Sequence, residues 1–487
     1  MKRLGMLIAV GALLFGVALP AMAQQQPSFT VTFGGQLRVI GVAFDNLKDF
    51  QDTTKDPAGG NPTNKDSEAY IHERFRLKTT VESADKKARA VWWIEVGDLT
   101  WGKGGGASGG EFGGTGARTG NNTGAELGAD GVNVETKNAY LQFAIPGIPG
   151  AQATLGLQGI GFLASPIGDF FSDDAAAIVL DFKFDPFDLQ LYAAKVSENN
   201  NQDADDNDFY AARLGINVTK DTRVTVEGLL ANTQCFTRRL VTPAAGGAPT
   251  ATGTCVDADV GDTFWVGGTV TTKVGDISLH GTAVYGRRAL YDATDNKNVS
   301  EEGWGVMAHA ALPAGPARLN VLGWYTTGDK NRLPGAGNSA AVKAGAGQAV
   351  TQASNTTALL KDSDKLPNPT GTDSWAGAPY IAEYMSATVN AATLSMGQPL
   401  YGDYTGTWGV GGSAQFSLRP DLVLGGGVGF IGATEDNGVF GDNVIEVDAG
   451  VSYALNANMT LGILAGYIFP DKGDNVWAVT GRAIFAF

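Results

Sequence analysis

From residue 29 to the end of the chain, apolar and polar side chains alternate in short runs, the two-residue period of a strand that separates two different environments. The stretch Ile445-Glu446-Val447-Asp448-Ala449-Gly450-Val451-Ser452-Tyr453 shows it most clearly, with apolar odd positions and acidic, small or hydroxylic even ones. The runs from Ile277 to Ala283 and from Leu214 to Val218 obey the same rule. Helical spacing is nearly absent. It is confined to Ile381, Tyr384, Met385, Thr388, Val389 and Ala392, which predict a short amphipathic helix inside one long connection.

Eighteen such segments can be counted, the first at 29–44 and the last at 475–487. Their connections alternate between short ones, such as Lys220-Asp221 and Val274-Gly275-Asp276, and long ones at 45–67, 102–132, 160–174, 198–207, 235–261, 289–300, 329–403, 434–443 and 470–474. This asymmetry predicts an all-β fold: a transmembrane antiparallel β-barrel of about 18 strands, with short periplasmic turns and long extracellular loops. Lipid offers no hydrogen-bond partner, so strands cross a bilayer only when every backbone group pairs and the sheet has no edge. A soluble sandwich or propeller is the competing reading, but it requires no such regular alternation of loop length.

The ends and the composition agree with export. Met1-Lys2-Arg3, the apolar run Leu4 to Leu19 and the small-residue pattern Ala21-Met22-Ala23 predict a cleaved signal peptide over 1–23, leaving 24–487 as a single barrel domain. With 50 acidic against 35 basic residues, the net charge of -15 argues against nucleic acid as a partner. Cys235 and Cys255 lie close in sequence within a Thr/Ala/Gly/Pro-rich segment, and an oxidising compartment would let them form a disulfide. The three histidines, His72, His280 and His309, are far from both, so no zinc spacing exists. The run Asp203 to Asp206 copies the start of a calcium loop, but Asp208 stands where glycine is needed. Neither a metal nor a cofactor is expected. No nucleophile–base constellation suggests an enzyme.

Several short motifs resemble those of Gram-negative outer-membrane porins. They are the signal ending Ala21-Met22-Ala23, Gly35-Gln36-Leu37-Arg38, Arg74-Phe75-Arg76-Leu77-Lys78, Trp92 to Asp98, Asn138 to Phe143, and the terminal Phe487. The resemblance covers the whole mature chain and identifies the porin class better than any subfamily. It implies that Phe487 is part of the signal read by the barrel-assembly machinery. It further implies residence among outer-membrane lipid and a homotrimer.

Strand phase then assigns faces. Gln36 and Arg38 of the first strand, His72, Arg74, Arg76, Lys78, Thr80 and Glu82 of the second, Arg89, Trp93 and Glu95 of the third, and Thr480 and Arg482 of the last should face the lumen. Arg38, Arg74, Arg76, Arg89 and Arg482 would then form a basic wall, since a charge facing lipid costs about 2–4 kcal/mol near the midplane. The connection 161–174 carries Asp169, Asp173 and Asp174 among aromatic residues. In porins the equivalent loop enters the barrel, so these acids are candidates for a constriction facing that wall. The expected function is passive diffusion of small hydrophilic solutes. A substrate-specific transport or export barrel is the alternative, with Trp93, Tyr140, Tyr192 and Trp324 as a stacking track for sugars or other organic solutes. An outer-membrane enzyme or adhesin fits less well.

Overall fold

The computed structural model describes residues 29–45, 68–102, 132, 134–163, 171–197, 207–233, 238–241, 250–255, 263–292, 297–326, 407–433, 443–471 and 473–487. The first nine strands are β1 (Phe29–Asp45), β2 (Glu68–Ser83), β3 (Ala88–Thr100), β4 (Glu135–Ala144), β5 (Ala151–Phe162), β6 (Phe171–Phe184), β7 (Phe187–Ser197), β8 (Asn207–Thr219) and β9 (Thr222–Thr233). A separate hairpin follows, β10 (Arg238–Val241) and β11 (Thr250–Cys255). The remaining strands are β12 (Thr263–Val274), β13 (Ile277–Asp292), β14 (Lys297–Ala314), β15 (Ala317–Thr326), β16 (Thr407–Arg419), β17 (Leu422–Ala433), β18 (Asn443–Ala454), β19 (Met459–Pro470) and β20 (Val476–Ala486).

Each barrel strand pairs antiparallel with its neighbours in sequence, β9 pairs with β12, and β1 pairs with both β2 and β20. The 18-stranded sheet therefore closes on itself, as the alternation of loop lengths predicts. The extra hairpin falls inside the connection read as 235–261. The connection read as 160–174 is shorter than expected, because the β5–β6 ladder continues up to the pair Phe162 and Phe171. Residues 1–23, Asp203 to Asp206 and the candidate helix 381–392 lie outside the described residues.

The sequence alternation becomes an outside and an inside. In β18 the side chains of Ile445 and Val447 are exposed on the outer face, whereas Glu446 and Asp448 are buried on the inner one. Following the register around the ring puts Val226, Val270, Leu319, Val410, Val428 and Ile463 outside, and Thr225, Thr269, Thr282, Asn320 and Thr480 inside. A band of large apolar residues exposed on the outer face of a closed sheet suits hydrocarbon. Val428→Arg is accordingly expected to cost about 2–4 kcal/mol in lipid. Ser452→Arg, on the inner face of β18 opposite Gly462, should cost less than about 1 kcal/mol. Urea titration of the barrel folded into vesicles checks the pair.

The ends of the strands are capped locally. In the β2–β3 turn, Asp85 Oδ1 accepts from Ser83 Oγ at 2.7 Å and from the Lys87 amide at 3.1 Å, and the Ala88 amide donates to Ser83 Oγ at 3.1 Å. The Ser83 hydroxyl and the Lys87 amide hold the exposed Asp85 carboxyl below its ordinary value. The turn is thus capped by a charged acceptor down to a pH lower than a free aspartate would allow.

The seam between the first and last strands ends at Phe487. The Gly35 amide donates to the Phe487 carbonyl at 2.8 Å, and the Phe487 amide donates back to Gly35 at 3.0 Å. The Phe487 ring stacks on Phe75 and Phe485, with centroids 6.3 and 6.0 Å away. Its Cζ lies 2.7 Å from where a Cβ on Gly35 would sit. Only a residue without a side chain leaves room for the ring at this position.

Candidate pore wall and constriction

The basic wall is built by register. Arg38 on β1 stands opposite Arg74 on β2, Gln36 opposite Arg76, and Ile40 lies between His72 and Arg482 of β20. Four arginines predicted for the lumen thus meet on the inner face of three adjacent strands. Like charges placed opposite each other across a sheet are unfavourable for stability, so the packing of the fold alone does not call for this pair. On β3, Glu95 faces Arg76 and forms a salt bridge with it. Trp93 lies beside them, with Arg76 Cζ 5.8 Å and Lys78 Nζ 5.4 Å from its ring centroid. Tyr140 of β4 shares the inner face, opposite Val91 and Gly156. Arg89 stands apart from the other arginines. It is exposed near the short-turn end, opposite Glu82 and Gln142, several residues down β3 from Glu95.

The acids tell a different story. Asp169 lies outside the described residues; Asp173 takes the register position opposite Ile160, on the strand rather than in a loop. Asp174 is also part of β6, opposite Gly159. Its carboxylate pairs with Lys137 and accepts from Asn138 Nδ2 at 2.9 Å, tying β6 to β4. Asp173 shares its parity in β6 with Asp181, so the register puts both on the inner face, and Asp188, Glu227, Glu446 and Asp448 join them from other strands. Strand phase alone could have found them. Asp188 pairs with Arg223, and Glu227 with Arg213.

Sequence phase gives no hint of the apolar cluster on the inner face between β5 and β13. It contains Ile160, Phe162, Leu163, Val179, Tyr192, Phe209, Leu229, Trp265 and Val284. Tyr192 is therefore buried in this cluster, its hydroxyl donating to the Gly161 carbonyl at 3.3 Å, while Trp324 packs with Met307 and Leu322 on another arc of the wall. The four aromatics considered for a stacking track do not form one surface. Cys235 lies outside the described residues; the backbone of Cys255 ends β11, opposite Arg238. Among the described residues no group of three or more His, Cys, Asp or Glu side chains is placed to hold a metal.

The barrel superposes along nearly its whole length on solved channels. A BenF-like porin from Pseudomonas fluorescens Pf-5 matches with a TM-score of 0.50 at 10% identity, covering 94% of this chain and 98% of that one. The fold is that of an outer-membrane porin. OpdK of Pseudomonas aeruginosa, solved with vanillate, is similar at a TM-score of 0.48 and 9% identity, with 93% of this chain and 98% of that chain covered. A third similar structure, OpdL of the same organism, gives 0.48 and 10% over 94% and 98%. No family model matches the sequence, and no curated protein matches it.

Proposed function

We propose that the protein is an outer-membrane channel through which small hydrophilic solutes diffuse passively, with anions favoured at the basic wall. The observation that carries this reading is the sorting of faces: apolar residues outside a closed barrel, and arginines gathered on three adjacent strands inside it. Arginines fixed on a lumen wall raise the local concentration of anions and lower the barrier to their passage. In this reading the short turns face the periplasm, residues 1–23 direct export, and Phe487 addresses the assembly machinery. The subunits associate as a homotrimer, and no enzymatic activity is assigned.

Swelling of vesicles loaded with the purified protein tests the proposal. Small neutral sugars and organic monoanions should enter faster than organic cations of equal size. Entry of none of them, or cations entering faster than anions, would contradict it.

A further inference from the structure

The end of β5 with the residue after it, Gly161 to Leu163, makes contacts on the inner wall that its place in the sheet does not require. Leu163 lies thirteen residues along the chain from Gly150 at the short-turn end, whereas Gly267 on β12 is only eight from Gly275. The two nonetheless touch, since Leu163 Cδ1 lies 2.5 Å from where a Cβ on Gly267 would sit. From β5 to β12 is five interstrand spacings of about 4.8 Å, or roughly 24 Å around the wall. Gly161 to Leu163, still joined to β6 through Gly161 and Phe162, therefore lean inward and reach across the inner faces of β7, β8 and β9 as far as β12.

Polar contacts fasten them there. The Leu163 amide donates to Glu227 Oε2 at 2.8 Å. The Arg213 guanidinium binds the same carboxylate through Nε at 2.7 Å and Nη2 at 3.3 Å. The Gly161 carbonyl accepts from Tyr192 and, at 3.5 Å, from Arg213. Leu163 turns the chain with a φ of 51°, a conformation that side chains other than glycine seldom adopt. Phe162 and Leu163 are 0% and 1% exposed. A strained backbone, a buried carboxylate and a notch left by a missing side chain all converge on one three-residue segment.

We infer that Glu227 is a positioning residue that latches Gly161–Leu163 against β9 and β12, with Gly267 as its seat, and that this latch sets the channel's aperture. The inference deepens the channel reading and rests on it. A latched segment excludes a fixed part of the cross-section; a released one leaves a wider but fluctuating opening.

Two variants test it. Glu227→Gln changes no volume but removes the charge that holds both Arg213 and the Leu163 amide. Gly267→Val fills the seat and leaves Glu227 intact. In planar bilayers each is expected to raise the unit conductance by about 1.5-fold or more and to add open-channel noise. Unit conductance and noise equal to the parent's in Glu227→Gln would overturn the inference, and that variant decides alone if Gly267→Val fails to fold. A second readout does not need conduction: thermolysin should cut near Leu163 faster in the folded, detergent-solubilised variants than in the parent. If the parent conducts nothing yet the variants become cleavable, the channel reading fails while the latch stands. If the parent conducts and neither readout changes, the latch alone fails.

Discussion

Replacing Arg38, Arg74 and Arg482 by glutamine in one variant is expected to lower the chloride-to-potassium permeability ratio by roughly three- to tenfold. The zero-current potential across a salt gradient reads this directly. The three side chains lie within two rows of the seam formed by β20, β1 and β2. Arg38 is 7% exposed, so bulk solvent screens it less than a rim charge. Glutamine keeps hydrogen-bonding capacity and much of the volume, which isolates the charge. Arg89→Gln is the internal control: it is exposed near the short-turn end and set apart from the cluster, so its effect per charge removed should be several-fold smaller. Equal effects per charge removed, from Arg89 and from the cluster, would mean that net charge, rather than the wall, governs selectivity.

Gly35→Val is expected to prevent most of the chain from closing into a barrel. Its Cβ would sit 2.7 Å from Phe487 Cζ and 3.1 Å from Cε2, and would also press on the Arg76 carbonyl. The ring is pinned between Phe75 and Phe485, and the backbone pair between residues 35 and 487 is the last bond of the seam. Overpacking of this kind costs about 1–3 kcal/mol, and more where backbone must move. A seam that fails to close also leaves unpaired strand edges in lipid. Heat-modifiable mobility in gels reads the loss of folded barrel. Phe487→Ala in the same background should restore only part of it, because the Arg76 carbonyl still opposes the new side chain. Full recovery would show that the ring alone is the obstacle.

The barrel could be read from the chain because its signal is local. The inward arginines from Arg38 to Arg482 keep the parity of their own strands, and each short turn is visible as a cluster of turn formers. The constriction could not be read in this way. The seat of Leu163 is a glycine 104 residues further along the chain, and its latch is a carboxylate 64 residues away. No period links them. Asp174 resembles a loop acid because the residues before it break the alternation, yet strand pairing extends past it to Phe171 and hands its charge to Lys137. Arg89 has the right parity but the wrong height, and height depends on how far a strand runs below its neighbours.

The central claim is that eighteen strands enclose a water-filled path across a membrane. Incorporating the purified full-length chain into planar bilayers and recording current at fixed voltage tests it most directly. The account predicts discrete, ohmic conductance steps of uniform size. Membranes that stay sealed although the folded barrel is incorporated would contradict it.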